Sequence, residues 1–172
     1  MHPAAEWGSI TGSWDYQYGG EQPGVWAESP MTGSLPAETA SQLAAVLALH
    51  PQPAGSCWFA VWEGKGPLDA ELDAAPPFEL PARPMWLLHG PVQAAATSPH
   101  PGALGDSVNL WWPEDRAWCV GTDIDLMTTY VGGSVDCIQT LLAETSLEAL
   151  AVSVDQYVTW DADTINPLPA PP

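Results

Sequence analysis

Lysine and arginine are nearly absent from this chain. Its 172 residues contain only three of them, Lys65, Arg83 and Arg116, against 21 aspartates and glutamates, for a formal net charge of −18 at pH 7. Charged residues make up 14% of the sequence, compared with about 25% in an average domain, so the acidity comes from missing cations rather than crowded acids. Such a charge repels nucleic acids and anionic lipids, and it attracts basic proteins.

Long hydrophobic runs are missing as well. No window approaches the roughly 18 uninterrupted apolar residues of a membrane-spanning helix. Residues 1–6 (MHPAAE) have neither the basic region nor the apolar stretch of a signal peptide. We therefore expect a cytoplasmic protein that does not enter a membrane.

Cysteine is scarce. Cys57, Cys119 and Cys137 are odd in number, lie far apart and are embedded in apolar segments, which predicts free thiols, at least two of them buried. There is no C-x-x-C pair and no histidine near a cysteine in sequence, so no metal site is predicted. The glycine patterns of P-loops and dinucleotide-binding folds are also absent, and no cofactor is predicted.

Tryptophan, by contrast, is abundant, with ten copies. The length fits one domain with a real core, and each packed tryptophan buries about 150–250 Å². We predict a single domain over residues 1–172, in which residues 1–36 are irregular or form short strands and residues 167–172 are an extended tail. Five tryptophans within apolar runs are predicted to supply much of the core: Trp58, Trp62, Trp86, Trp112 and Trp118.

Helical spacing of apolar residues predicts two main helices. The first covers residues 37–50, with Pro36 in its first turn. The second follows Ser134, a favourable N-cap residue. A shorter helix that runs into a strand is predicted over residues 146–154.

Continuous and alternating apolar runs predict the strands. Residues 57–62 are apolar on both alternating faces, as in a central strand, and residues 85–89 form a second buried strand. Residues 108–126 form a hairpin with Pro113 at the first central position of its turn. Residues 66–84 contain five prolines and are predicted to be a loop. Together these elements predict an α+β fold with a mostly antiparallel sheet and two main helices.

The second strand of the hairpin carries a pair of candidate catalytic carboxylates. Asp123 and Asp125 are two residues apart on a predicted strand, which places both side chains about 7 Å apart on one face. Carboxylates this close raise one pKa or attract a cation, as acid–base or metal chemistry requires. A solvent-facing strand edge is the structural alternative. His89, at the end of an apolar strand, is the third candidate, and a core or rim position is its alternative.

Two acidic loops are candidate binding segments for a basic protein. The first, within a stretch rich in proline and alanine, carries Asp69, Glu71 and Asp73. The second is the predicted hairpin turn, which carries Glu114 and Asp115. The alternative for both loops is a solvated surface that only promotes solubility.

Four segments carry a family resemblance. They are residues 57–64 (CWFAVWEG), 109–119 (NLWWPEDRAWC), 123–134 and 159–167. These segments resemble an uncharacterised family of proteins from high-GC Gram-positive bacteria, over about residues 40–167. The resemblance implies no activity. The size, acidity and α+β pattern are also similar to those of immunity proteins that neutralise bacterial toxins, but no motif supports this analogy.

Two functional hypotheses remain. The first is a non-enzymatic cytoplasmic protein whose acidic surface binds a basic protein partner, in the manner of an immunity protein or antitoxin. The second is a small enzyme or ligand-binding domain with a tryptophan-lined pocket that uses Asp123, Asp125 and His89. A pocket with converging polar groups favours the second hypothesis, and a shallow acidic surface favours the first.

Overall fold

The computed structural model describes residues 31–50, 56–72, 75–81, 83–100 and 107–156. Within these ranges the chain forms one antiparallel sheet of six strands and two α helices, α1 (Ala37–Leu47) and α2 (Val135–Ala143). The predicted α+β fold with two main helices is confirmed. The strands are β1 (Ser56–Trp62), β2 (Ala75–Leu80), β3 (Arg83–Pro91), β4 (Leu110–Pro113), β5 (Trp118–Thr122) and β6 (Thr129–Gly133).

Strand β1 occupies an inner position of the sheet, whose order is β2-β3-β1-β4-β5-β6. It pairs with β3 on one side and with β4 on the other, so that Trp58 is opposite both His89 and Trp112. The prediction of a central strand is therefore confirmed. Because β1 is paired along both edges, most of its backbone hydrogen bonds lie within the sheet, and the Trp62 N–H donates instead to Asn109 Oδ1 at 2.9 Å.

One face of the sheet packs against the helices. Alternate residues of β1 point to this face, and Cys57, Phe59 and Val61 are all buried there. We call it the helix-covered face. Its core also includes residues from both helices and from the neighbouring strands: Leu43, Leu47, Leu88, Trp111, Trp118, Val120, Cys137 and Leu141.

The opposite face of the sheet is also apolar but only partly buried. By the alternation of side chains it carries Trp58, Ala60 and Trp62 on β1, with Leu110 and Trp112 on β4. We call it the aromatic face. All of these residues are half-buried except Ala60, which is buried.

The predicted tryptophan core is therefore only partly correct. Of the five tryptophans proposed for it, Trp118 is buried, whereas Trp58, Trp62, Trp86 and Trp112 are half-buried. Consecutive strand residues point to opposite faces, so only one of the pair at 111 and 112 can enter the helix-covered core. That residue is the one at 111, which is 2% exposed.

The prediction that residues 66–84 are a loop is wrong for β2 and for the start of β3. Strand β2 contains Pro76 and Pro77, yet it pairs with β3 alone and lies at the edge of the sheet. A proline lacks a backbone N–H, which an edge strand can tolerate on its unpaired side. The register also shifts between Ala75 and Phe78, where the two prolines lie.

Several boundaries differ from the predictions. Helix α1 ends at Leu47, before residue 50, and Pro36 is its N-cap residue rather than part of its first turn. Residues 146–154 are mostly irregular, with turn residues only at 146 and 154, instead of a helix and a strand. Helix α2 begins as predicted, because the Ser134 hydroxyl accepts a hydrogen bond from the Cys137 N–H at 3.3 Å.

The hairpin turn is displaced by one residue from the prediction. The Arg116 N–H donates to the Pro113 carbonyl at 3.0 Å, so Pro113 is the first residue of the turn and not its first central residue. Arg116 has a φ of 57°, in the left-handed region that favours glycine. The structure thus contains a strained arginine where the turn returns to β5.

Gly33 connects the segment before α1 to the turn after β5. Its N–H donates to the Leu126 carbonyl at 2.8 Å, and its φ is 70°. A Cβ atom at this position would lie 2.6 Å from the Ile124 carbonyl oxygen, so only glycine fits without a shift. The Gly33 carbonyl accepts a hydrogen bond from Lys65 Nζ at 3.0 Å. The predictions for residues 1–30 and for the tail at 167–172 lie outside the described residues.

Candidate functional site

Asp123 and Asp125 do not lie on a strand, because β5 ends at Thr122. They belong to the following turn, in which Asp123 Oδ1 accepts a hydrogen bond from the Asp125 N–H at 3.0 Å. Arg83, at the start of β3, donates from Nη1 to Asp123 Oδ2 at 2.6 Å and from Nη2 to Asp125 Oδ2 at 2.9 Å. The two carboxylates are thus held by one guanidinium group rather than projected from one strand face.

These contacts determine the protonation states of Asp123 and Arg83. Partial burial by itself raises the pKa of Asp123, but hydrogen bonds from Arg83 and from the Asp125 backbone outweigh it and lower that pKa below its ordinary value. The pKa of Arg83 is raised, mainly by its hydrogen bond to Asp123. Asp123 is therefore ionised at neutral pH and already has a cationic partner, which makes it a poor general acid.

A pocket of about 260 Å³ lies beside this ion pair. Among the described residues that line it there is no tryptophan, whereas the sequence predicted a tryptophan-lined pocket. The wall is mostly apolar, and its polar lining residues include Arg83 and Asp123. Its size suits a single apolar group better than an extended ligand. The apolar lining residues are Leu80, Met85, Leu110, Ile124 and Leu126.

His89 does not join the two aspartates. It lies six residues beyond Arg83 on β3, a separation of roughly 20 Å along an extended strand. Instead, its imidazole ring packs on Trp58, with 4.6 Å between ring centroids and an interplanar angle of 56°. Its Nε2 atom is 3.2 Å from Glu114 Oε1. The three candidate catalytic residues therefore occupy two separate places on the sheet.

Trp58, His89 and Glu114 form a cluster at one end of the aromatic face, which we call the Trp58 cluster. His89 is on β3 and Glu114 directly follows β4, so their contact spans the intervening strand β1. The side chains of His89 and Glu114 are 41% and 51% exposed. Trp58 is half-buried beneath them. The cluster thus places an exposed carboxylate next to a half-buried aromatic ring.

Of the other predicted binding acids, Asp69 and Glu71 lie away from this cluster, whereas Asp115 directly follows Glu114 in the hairpin turn. Asp69 Oδ1 accepts a hydrogen bond from the Glu71 N–H at 3.1 Å, and the Asp69 N–H donates to the Pro99 carbonyl at 2.9 Å. Both residues belong to the loop that follows β1. This loop begins at the end of β1 that is farther from the Trp58 cluster. Asp115 is exposed, and its Oδ1 accepts a hydrogen bond from the Ala117 N–H at 3.0 Å. Asp73 lies outside the described residues.

The thiols are free, as predicted, and two of the three are buried. Burial and, to a smaller extent, the charge of Asp115 raise the pKa of Cys57 to about 11. Cys137 is buried next to Gly133, and Cys119 is exposed. A thiol with a raised pKa is protonated at neutral pH and is a weak nucleophile.

Comparisons with known proteins do not identify the site: no family model, curated protein or solved structure matches this chain. Within the described ranges, histidine, cysteine and acidic side chains form no group of three or more that could hold a metal ion. The same residues contain no helix that is both long enough and apolar enough to span a membrane.

Two features of the site were missed by the sequence reasoning. One is the role of Arg83, whose sequence distance of 40 residues from Asp123 gives no local signal. The scarcity of cations is a usable hint, since a lone arginine among many acids has a strong tendency to pair. The other is the contact between His89 and Glu114, which depends on strand order and not on spacing.

Proposed function

We propose that this protein is a non-enzymatic binding protein whose acidic surface recognises a basic protein partner in the cytoplasm. Neutralisation of a basic toxin, as by an immunity protein or antitoxin, is the most concrete form of this role. Excess negative charge accelerates association with a basic partner and disfavours nucleic acid as a ligand.

The observation that carries the proposal is the internal use of the scarce cations. Arg83 forms ion pairs with Asp123 and Asp125. Lys65 Nζ donates hydrogen bonds to the Gly33 carbonyl and to the Ser34 hydroxyl. Between described residues, no other carboxylate forms an ion pair with lysine or arginine. Surface acids such as those of the hairpin turn therefore keep their charge available for a partner.

The test begins with capture of proteins from the native cytosol, followed by identification and purification of the retained basic protein. Association and dissociation rate constants are then measured at about 0.05 M and about 0.3 M salt, where the Debye length falls from above 10 Å to below 8 Å. We expect the association rate constant to fall about tenfold or more, with a smaller change in dissociation. Binding that is insensitive to salt, or no basic protein retained at low salt, would contradict the proposal.

The pocket beside Arg83 supports a second candidate function, the binding of a small apolar ligand. Its volume of about 260 Å³ and apolar wall suit such a molecule. We expect a neutral apolar dye, Nile red, to bind the natural protein but not a Leu126→Trp variant, in which the larger side chain fills the pocket. Leu142→Trp, at an exposed position on α2, is the control. Equal dye binding by both variants would rule out this pocket as the ligand site.

A further inference from the structure

The aromatic face provides an apolar surface next to exposed carboxylates. The two helices pack on the other side of the sheet, where their apolar residues join Phe59 and Val61 in the core. On the aromatic face, the large side chains Trp58, Trp62 and Trp112 are half-buried. Protein interfaces are enriched in aromatic residues of this kind, and tryptophan is among the residues that contribute most to binding free energy.

The Trp58 cluster combines the two chemical groups that bind a cationic side chain. An indole ring attracts a lysine ammonium or an arginine guanidinium to its π face more strongly than other aromatic rings do. A carboxylate accepts short, charge-assisted hydrogen bonds from the same cations. Among the described residues, His89 Nε2 is the one side-chain partner of Glu114, which remains 51% exposed and accessible from solvent.

His89 has a positioning role in this arrangement. Its ring packs against Trp58, and its Nε2 atom contacts Glu114, so it keeps the carboxylate above the strand that carries the indole ring. A hydrogen bond that links two side chains across β1 restricts the rotamers of both. Restricting them before binding lowers the entropic cost of forming the complex.

We propose that the Trp58 cluster is the anchor point for a lysine or arginine side chain of the basic protein partner. The cation lies over the exposed part of the Trp58 ring and forms an ion pair with the Glu114 carboxylate. The aliphatic stem of the same side chain packs on the apolar surface formed by neighbouring residues such as Leu87 and Trp112. The inference rests on the proposed function and specifies where on the sheet the partner binds.

The test uses two synthetic hexapeptides, one of alternating arginine and leucine and one in which neutral citrulline replaces each arginine. Binding is followed by NMR through the indole N–H signals, with the Trp58 signal assigned from its loss in Trp58→Leu. We expect the arginine peptide to shift this signal and the citrulline peptide to leave it unchanged. We expect Glu114→Gln to weaken the arginine peptide roughly tenfold, because a hydrogen bond to a charged group is lost.

Glu148→Gln is the matched control, since Glu148 is exposed and the substitution removes the same charge. We expect it to change the affinity less than about twofold. Trp58→Leu should also weaken the arginine peptide by about tenfold or more. Urea unfolding of each variant, monitored by circular dichroism, shows whether the loss of binding occurs in a folded protein.

Each other outcome overturns the inference in a recognisable way. Equal weakening by Glu114→Gln and Glu148→Gln would mean that total charge and not this cluster binds the peptide, and the proposed function would stand. Equal binding of both peptides would make the face an apolar docking surface without a cation site. Self-association that Trp58→Leu abolishes would make it an interface between two copies of this chain. Absence of any basic partner in the cytosolic capture would remove the proposed function itself.

Discussion

Substitution of Trp118 provides the most informative test of the core. Trp118 is 2% exposed, and its ring meets that of Trp111 edge-on, with 5.3 Å between centroids and an interplanar angle of 82°. Deleting a buried tryptophan side chain costs about 3–5 kcal/mol, through lost burial and the cavity left behind. The edge-on contact between the two rings contributes about 0.5–1.5 kcal/mol to this cost. We therefore expect Trp118→Ala to lower the free energy of unfolding by about 3–5 kcal/mol.

Phenylalanine at the same position separates two opposing effects. The smaller ring leaves a cavity that costs about 1–2 kcal/mol. However, the buried Trp118 Nε1–H has no hydrogen-bond partner among the described residues, and an unsatisfied donor of this kind costs about 1–3 kcal/mol. Because phenylalanine removes that donor, we expect Trp118→Phe to lie within about 1 kcal/mol of the natural protein.

Urea unfolding measures both variants, with far-ultraviolet circular dichroism as the signal because the substitutions alter tryptophan fluorescence. Cys119→Ser is the control, since the neighbouring residue points away from the core and is exposed, and we expect a change within about 0.5 kcal/mol. If Trp118→Phe is as destabilising as Trp118→Ala, the indole N–H contributes to stability and the reasoning is wrong. If Trp118→Ala costs less than Cys119→Ser, the register of β5 is wrong.

Three further predictions concern the ion pair, the strained turn and the thiols. Asp123→Asn should cost about 0.5–1 kcal/mol at pH 7, since the Arg83 pair is partly solvent-exposed. The lowered pKa of Asp123 means that this stability is present above about pH 4 and is lost as the pH falls further, so a cost that persists at pH 2 would exclude the ion pair as its source. Arg116→Gly should be about 1 kcal/mol more stable than Arg116→Ala, because both remove one charge but only glycine relieves the positive φ; equal stabilities would contradict that backbone geometry. A thiol reagent should label Cys119 in the native protein but reach Cys57 only on unfolding, and native labelling of Cys57 would disprove its burial.

Elements defined by neighbouring residues were well predicted from the sequence. Ser134 caps α2 because a hydroxyl at that position reaches an N–H three residues later, which is a local geometric fact. The strand at residues 57–62 lies inside the sheet because both of its faces are apolar and neither favours contact with water. Trp118 is buried, as its apolar run predicted, and Val120 and Thr122 are buried on the same side because a strand has a period of two.

Predictions of where a strand ends, or of which residues distant in sequence are in contact, were less successful. The alternation after Thr122 continues in the sequence, but Gly33 and Arg83 bind the following residues and turn the chain away from the sheet. The prolines of β2 indicated a loop, because nothing local shows that a strand will lie at an edge. The predicted arrangement of the two aspartates was wrong for the same reason, because Asp123 binds an arginine 40 residues away in the sequence.

The sequence by itself determined the charge imbalance, the α+β class and the apolar periods of the main elements, because composition and local periodicity depend only on neighbouring residues. The tertiary structure decided which of the consecutive tryptophans 111 and 112 enters the core and which faces the other side of the sheet. It also decided that His89 meets Glu114 across β1 while Arg83 meets Asp123 at the far end of β3. Strand order and register bring residues 25 and 40 positions apart into contact, and these arise from packing of the whole chain.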